Sequence, residues 1–227
     1  MSPAAFCATL LRWYEANGRD LPWRHTRDPY AIWLSEVILQ QTRISQGTAY
    51  WQRFMQAWPT VEALAAATED EVLKMWQGLG YYSRARNLHT AARQIVALGQ
   101  FPRTLEEIRR LKGVGDYTAA AIASLAFGVT AAAVDGNVYR VLSRLYAIDT
   151  PINTTEGKHL FTRLADELIH AAPQTALSPQ GDEACGASLF NQAMMDFGAT
   201  QCTPQSPSCL LCPFVEDCEA HRRGLTE

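Results

Sequence analysis

Residues 111–137 read LKGVGDYTAAAIASLAFGVTAAAVDGN, and their punctuation restricts the fold more than any other stretch. Gly113-Val114-Gly115 separates two helical runs. Two glycines one residue apart let the backbone turn tightly and come close to a ligand. The second run, Asp116 to Phe127, is rich in Ala, Ile and Leu and reads as a buried helix. Its free N–H groups and positive dipole end face back to the hairpin, an arrangement that suits phosphate. Such a contact positions a nucleic acid without reading its bases. The ordinary alternative is a packing turn between helices, since glycine is common in any turn. A short link then delivers Asp135-Gly136-Asn137 to the start of another helix.

The remainder of the chain alternates helical segments with short breakers and shows little strand alternation, so the fold class is all-α. Asp28-Pro29 opens a helix through Leu39, as an N-cap followed by proline at the first helical position. Thr68 with Glu71 and Thr104 with Glu107 have capping-box spacing. Further helices are expected near Thr48 to Trp58, from Ser83 to Leu98 ending at Gly99, and over Gly136 to Tyr146, Thr155 to Ala171 and Ser188 to Phe197. Pro173 to Gly186 reads as a surface loop. The 227 residues allow one large domain or two small ones. A net charge of −3 confines any DNA site to a local patch plus backbone amides. No apolar run approaches the ~20 residues of a membrane span. The N-terminal helix, which ends at Asn17-Gly18, lacks the basic start and cleavage site of a secretory signal.

Two carboxyl groups sit in opposite surroundings. Glu36 has Trp33, Leu34, Val37, Ile38 and Leu39 about it on one helix. Burial there favours its protonated form and makes it a general acid. Asp135 precedes a helix, where the dipole and free N–H groups favour the anion. Each also has an ordinary reading, as a half-exposed helix glutamate and as a simple N-cap. Together they match the pair that cleaves a glycosidic bond through an oxocarbenium-like state.

Of six cysteines, Cys7 and Cys185 are isolated and Cys202, Cys209, Cys212 and Cys218 cluster as C-x6-C-x2-C-x5-C. With no secretory signal, the cluster reads as an intracellular metal site rather than a disulfide framework. Four thiolates satisfy zinc or an iron–sulfur cluster. The histidines have no ligand-like spacing.

The hairpin, the VDGN aspartate and the cysteine spacing together resemble the endonuclease III superfamily of base-excision DNA glycosylases. Within it the chain is most similar to the adenine-specific members. The similarity runs from about Phe6 to Cys218, through LPW at Leu21, WLSEVILQQT at Trp33, GLGYYSRARNL at Gly78, VDGNVYRVL at Val134 and FNQAMMDFGATQC at Phe190. It implies two helical modules flanking a DNA-binding cleft. One is a six-helix barrel module over residues 21–130, and the other joins residues 1–20 to 131–227 and carries a [4Fe–4S] cluster on the four clustered cysteines. It implies a helix–hairpin–helix at Leu111 to Ile122, with Gly113, Val114 and Gly115 offering amides to a phosphate. Glu36 corresponds to the acid that protonates adenine at N7, and Asp135 to the residue that stabilises or captures the cationic sugar. Tyr117 and Asn137 stand beside that sugar. Gln41 and Thr42 enter the duplex where adenine leaves, Leu79 and Tyr81 lie near the opposing damaged guanine, and Trp23, Arg24, Leu39 and Gln192 line the adenine pocket. The partner implied is double-stranded DNA with an adenine mismatch; nothing in the sequence suggests a protein partner surface, so a monomer is the default.

Position 117 separates subfamilies. Lyase-active relatives carry lysine there as an imine-forming nucleophile, and Tyr117 cannot form an imine. Little or no strand cleavage is therefore expected. Two departures stand out. Thr203 to Ser208 has no Lys or Arg to touch phosphate, with Arg222 and Arg223 as substitutes nearby. The sequence ends at Glu227, without the Nudix-like domain with which many adenine glycosylases read 8-oxoguanine. Arg84, Arg86, Arg140 and Arg144 read equally as solvated helix faces or phosphate contacts. The rival readings are a mismatch thymine glycosylase of the same superfamily and a non-catalytic iron–sulfur DNA-binding module.

Overall fold

The structure, a computed structural model, describes residues 1–226. The helices, in chain order, are α1 (Pro3–Asn17), α2 (Pro29–Leu39), α3 (Ile44–Ala57), α4 (Val61–Ala66), α5 (Glu69–Trp76), α6 (Ser83–Leu98), α7 (Leu105–Arg109), α8 (Asp116–Phe127), α9 (Gly136–Tyr146), α10 (Thr155–His170), α11 (Gly186–Asp196) and α12 (Glu219–Arg222). They form two compact units, one of Leu21–Phe127 and one that joins Met1–Asp20 to the chain from Gly128 onward.

In the Leu21–Phe127 unit, α2 and α8 are its most apolar helices and pack on each other. Helix α2 is buried continuously from Tyr30 to Ile38, as its apolar residues on all sides require. Asp28 caps it by accepting the Tyr30 N–H at 3.0 Å, with Pro29 at the first position. Both capping boxes close, Thr68 with Glu71 and Thr104 with Glu107. Each cap stabilises its helix by about 1 kcal/mol. Helix α6 ends at Gly99, whose φ of 76° is the left-handed C-cap that glycine favours.

The other unit is built around phenylalanines. Phe6 of α1 stacks on Phe214 at 5.0 Å between ring centroids and meets Phe190 of α11 edge-on at 6.3 Å. Phe214 also takes Phe197 edge-on at 5.3 Å, so the cysteine-bearing tail is anchored in the core by an aromatic side chain. Val138, Val141, Leu142 and Leu145 are the buried stripe of α9. A half-buried ion pair ties the end of α1 to α11: the fully buried Asp196 accepts the Arg19 backbone N–H and Nε, each at 2.8 Å.

Two expectations are corrected and one helix is added. The segment 173–186, read as loop, contains a two-stranded antiparallel ribbon, β1 (Thr175–Leu177) and β2 (Glu183–Cys185), with Ala176 opposite Ala184. Strands of three residues are too short to show a period. Helix α3 begins at Ile44, a turn before Thr48, and α4, capped by Thr60, was not anticipated.

Candidate active-site and nucleic-acid-binding residues

Glu36 lies on α2 and is 9% exposed, with Trp33, Val37 and Ile38 buried around it. Leu39, the last residue of that helix, is half-buried. Trp23 is buried with its ring edge-on to Trp51 at 5.9 Å, and Arg24 follows it in the same short helical turn, Pro22–Arg24.

Beyond the C-terminus of α2 the chain turns through Gln41, whose φ of 56° is left-handed. A second turn, residues 77–82, carries Gly78 at 101°, Gly80 at 70° and Tyr81 at 45°. Two non-glycine residues in that region store backbone strain, of order 1–3 kcal/mol each, and such strain collects at functional sites. The second turn is held by side chains. Tyr50 donates to Gln77 O at 2.5 Å, Gln46 to Gly78 O at 3.2 Å and Trp76 Nε1 to Gly80 O at 2.9 Å. Gly78 favours glycine through its φ of 101°, and a Cβ there would also lie 2.4 Å from the Tyr50 hydroxyl. Tyr81 is 68% exposed and Leu79 only 8%. Of the two wedge candidates, the free protein presents the aromatic ring and tucks the leucine inward.

The hairpin has Gly113 at φ 78°, where a Cβ would stand 2.7 Å from Asn87 Cβ. Val114 packs inward and spends its N–H on Leu111 O at 3.1 Å. That corrects the expectation of three donated amides: Gly113 and Gly115 are the two left for an outside acceptor. An added Cβ at Gly115 meets nothing within 4 Å, so that glycine answers no packing need. Tyr117 follows on the first turn of α8 and is half-buried.

In the other unit, Asp135 caps α9. Its Oδ1 accepts the Val138 N–H at 2.9 Å and its Oδ2 accepts Asn137 Nδ2 at 2.8 Å. Asn137 Oδ1 accepts Arg140 Nη2 at 2.8 Å, and Arg140 also donates to Gly198 O at 2.6 Å and Cys202 O at 2.8 Å. Gly198 sits in a single wide turn, Phe197–Gln201, that continues α11. Such turns recur at functional sites. Burial lowers the Arg140 basicity, offset in part by Cys202 and Asp135. Gln192, expected in the adenine pocket, spends its amide on its own unit: Tyr14 donates to its Oε1 at 2.9 Å, and its Nε2 donates to Ser188 at 3.2 Å.

Cys202, Cys209 and Cys218 lie near enough to Cys212 to act on its thiol. Burial foremost, with smaller contributions from Cys202, Cys218 and Cys209 and against a backbone hydrogen bond at Phe214, pushes the Cys212 thiol up to about 11. Arg144 Nη1 donates to Cys202 Sγ at 3.4 Å and to Thr203 O at 2.6 Å. Among the described residues no group of three or more His, Cys, Asp or Glu is drawn tightly enough to hold an ion as it stands. In donor type and number the four thiols fit an iron–sulfur cluster.

Residues 34–167 match the profile of the HhH-GPD superfamily of base excision DNA repair proteins. The chain belongs to that superfamily. This HhH-GPD chain is 45% identical over 230 residues to the adenine DNA glycosylases of Mus musculus and Homo sapiens. The match takes in 96% of the chain but 42% and 40% of those two proteins, so it spans about two fifths of their length. It is also similar to the solved structure of a thermostable thymine-DNA glycosylase, with a TM-score of 0.83, 31% identity and 97% of each chain covered.

Reading the HhH-GPD sequence by itself misses what its arginines do. Arg84, Arg140 and Arg144 are half-buried, and each guanidinium is bound to backbone carbonyls of a loop. Arg86 alone of the four pairs with an exposed acid, Glu69, at 3.2 Å.

Proposed function

We propose that this chain is a base-excision DNA glycosylase that releases adenine mispaired with 8-oxoguanine or guanine. The observation that carries the reading is the contrast between two carboxyl groups: Glu36 is enclosed by apolar side chains, and Asp135 takes two donated hydrogen bonds. In this mechanism adenine is flipped out of the stack, because it cannot be reached there. Glu36 gives its proton to N7, which makes the base a neutral leaving group. The C1′–N9 bond breaks and positive charge develops on the sugar. Asp135, held by Asn137, stabilises or captures that cation with Tyr117 beside it. Water adds at C1′ and returns a proton, leaving adenine and an abasic site. Tyr117 has no amine to form an imine, so strand cleavage is expected to be slight.

Gly113 and Gly115 would hold a phosphate through their amides. Gln41, Thr42, Leu79 and Tyr81 would occupy the duplex around the extruded base, and Trp23, Arg24, Leu39 and Gln192 its pocket. Cys202, Cys209, Cys212 and Cys218 would hold a [4Fe–4S] cluster, which supplies a folded loop rather than a catalytic step. The protein would act as an intracellular monomer. Iron analysis with visible absorbance tests the cluster, and a colourless zinc-loaded protein sinks that assignment.

A second reading, a mismatch thymine glycosylase, is supported by the full-length likeness to the thymine-DNA glycosylase structure. Single-turnover assays on duplexes holding A opposite 8-oxoguanine, A opposite G and T opposite G decide between them. Adenine release, lost by several orders of magnitude in Glu36→Gln while duplex binding persists, is the expected result. Thymine release alone selects the second reading.

A further inference from the structure

Arg84 joins both strained turns. It stands on the first turn of α6, and its planar guanidinium has two ends. Nη1 lies 3.2 Å from Val37 O and 3.1 Å from Ile38 O, two of the carbonyls that end α2, and also donates to Gln40 O. It reaches Thr42 Oγ1 at 3.4 Å. Nη2 donates to Leu79 O at 3.0 Å and approaches Gly80 O at 3.4 Å. The guanidinium carbon lies 5.1 Å from the Trp76 ring centroid and 5.8 Å from that of Tyr81. Its Nε is buried without a hydrogen-bond partner. A group so placed leaves one buried donor unsatisfied in order to keep both ends engaged.

We infer that Arg84 is a positioning residue that couples recognition of the opposite base to extrusion of the target base, by holding the turns of Gln41 and Tyr81 in one rigid arrangement. The inference rests on the glycosylase reading for the roles of those two turns. The clamp itself rests on geometry within the Leu21–Phe127 unit. One end of the fork serves the end of the Glu36 helix and the turn beyond it; the other serves the turn that presents Tyr81. If Tyr81 shifts as it meets the opposing base, the displacement passes through the guanidinium to Gln41 and the helix end. A lysine at this position offers one ammonium at one point, and it can serve one turn but not both.

Two measurements on Arg84→Lys and Arg84→Met test this. The first is amide hydrogen exchange of the DNA-free protein. Residues 40–42 and 79–82 are expected to exchange at least about tenfold faster in both variants, with α8 unchanged. Unchanged exchange there overturns the clamp, whatever the substrate proves to be. The second is single-turnover adenine release opposite 8-oxoguanine and opposite guanine. Coupling predicts that the ratio of the two rates falls by roughly tenfold toward unity in Arg84→Lys. A residue needed only for folding lowers both rates by the same factor, and that result overturns the coupling, as does a wild-type ratio of one. If the wild type releases no adenine, the glycosylase reading and the coupling fail together, and the exchange data still decide the clamp. Arg84→Lys keeps charge and aliphatic stem, so it carries both measurements if the methionine variant does not fold.

Discussion

Asn137 donates its side-chain amide to Asp135 Oδ2 at 2.8 Å while Arg140 holds the opposite end of the same amide at 2.8 Å. Asp135 therefore does not choose its own rotamer; Arg140 fixes Asn137, and Asn137 fixes the carboxylate. Asn137→Leu removes both bonds and leaves the Val138 cap bond in place. A hydrogen bond to a charged group contributes about 1.5–3 kcal/mol. Single-turnover base release is expected to fall by roughly tenfold to a hundredfold, with a small change in thermal midpoint. Wild-type rates in the leucine variant would show that Asn137 does nothing for the carboxylate.

The same pair can be disturbed from behind. A Cβ on Gly198 would lie 2.5 Å from Asn137 Cβ and 3.0 Å from its Cα. Neither neighbour is the free end of a flexible chain, so the backbone of α9 or of the wide turn must shift. Gly198→Ala is expected to cost about 1–3 kcal/mol of stability, as overpacking does. It also moves the carbonyl that Arg140 uses, so base release should fall with it. Urea unfolding with a rate measurement on the same preparation checks both, and a fully active, fully stable variant refutes the packing argument.

Gly115 is the opposite case. Its Cβ position is open, and its φ is not left-handed, so alanine fits the free protein without strain. A methyl group there would stand where a phosphate must approach the amide. Gly115→Ala should keep the wild-type melting temperature and weaken duplex binding by roughly tenfold, measured by fluorescence anisotropy at fixed salt. The matched control is Gly113→Ala, which should destabilise the fold through its left-handed φ and its clash with Asn87. Equal binding by Gly115→Ala and wild type would remove the hairpin from the DNA contact.

How legible the molecule was in its sequence depended on the range of the forces involved. Local signals were read well: Asp28-Pro29, Thr68 with Glu71, Thr104 with Glu107, and Gly99 all mark helix ends found in the structure. Each is a cap whose donor and acceptor lie within four residues. Glu36 among its apolar helix neighbours was legible for the same reason. What escaped depends on chain segments far apart. Nothing near Arg84 says that Gln40 and Leu79 will both offer it a carbonyl, and nothing near Arg140 names Gly198 and Cys202. Neither a solvated face nor a phosphate contact, the two readings open for these arginines, describes the loop carbonyls they hold. The ribbon at 175–185 was lost because three residues per strand show no alternation.

Cys7 gives a pH signature of the α1 docking. Its thiol is buried and donates to Leu168 O at 3.0 Å, and burial pushes it from its ordinary value of 9.0 up to about 11. A raised acid constant means that the folded state holds the proton more tightly than the unfolded chain. The associated stability is complete below pH 9, and it is lost as the pH rises through about 11. At about 1.4 kcal/mol per pH unit, the loss attributable to Cys7 is of order 2–3 kcal/mol. Cys7→Ala should be somewhat less stable than wild type at pH 8, since it leaves a small void. It should then lose stability less steeply toward pH 11, so that the two unfolding curves converge. Tyr146 is also raised, by burial first and then by Cys7, and contributes to the decline in both proteins, so the difference between them is the quantity to read. Urea unfolding of the pair at pH 8 and pH 11 supplies it. Parallel losses in the two proteins would mean that the Cys7 thiol is not protected by the fold.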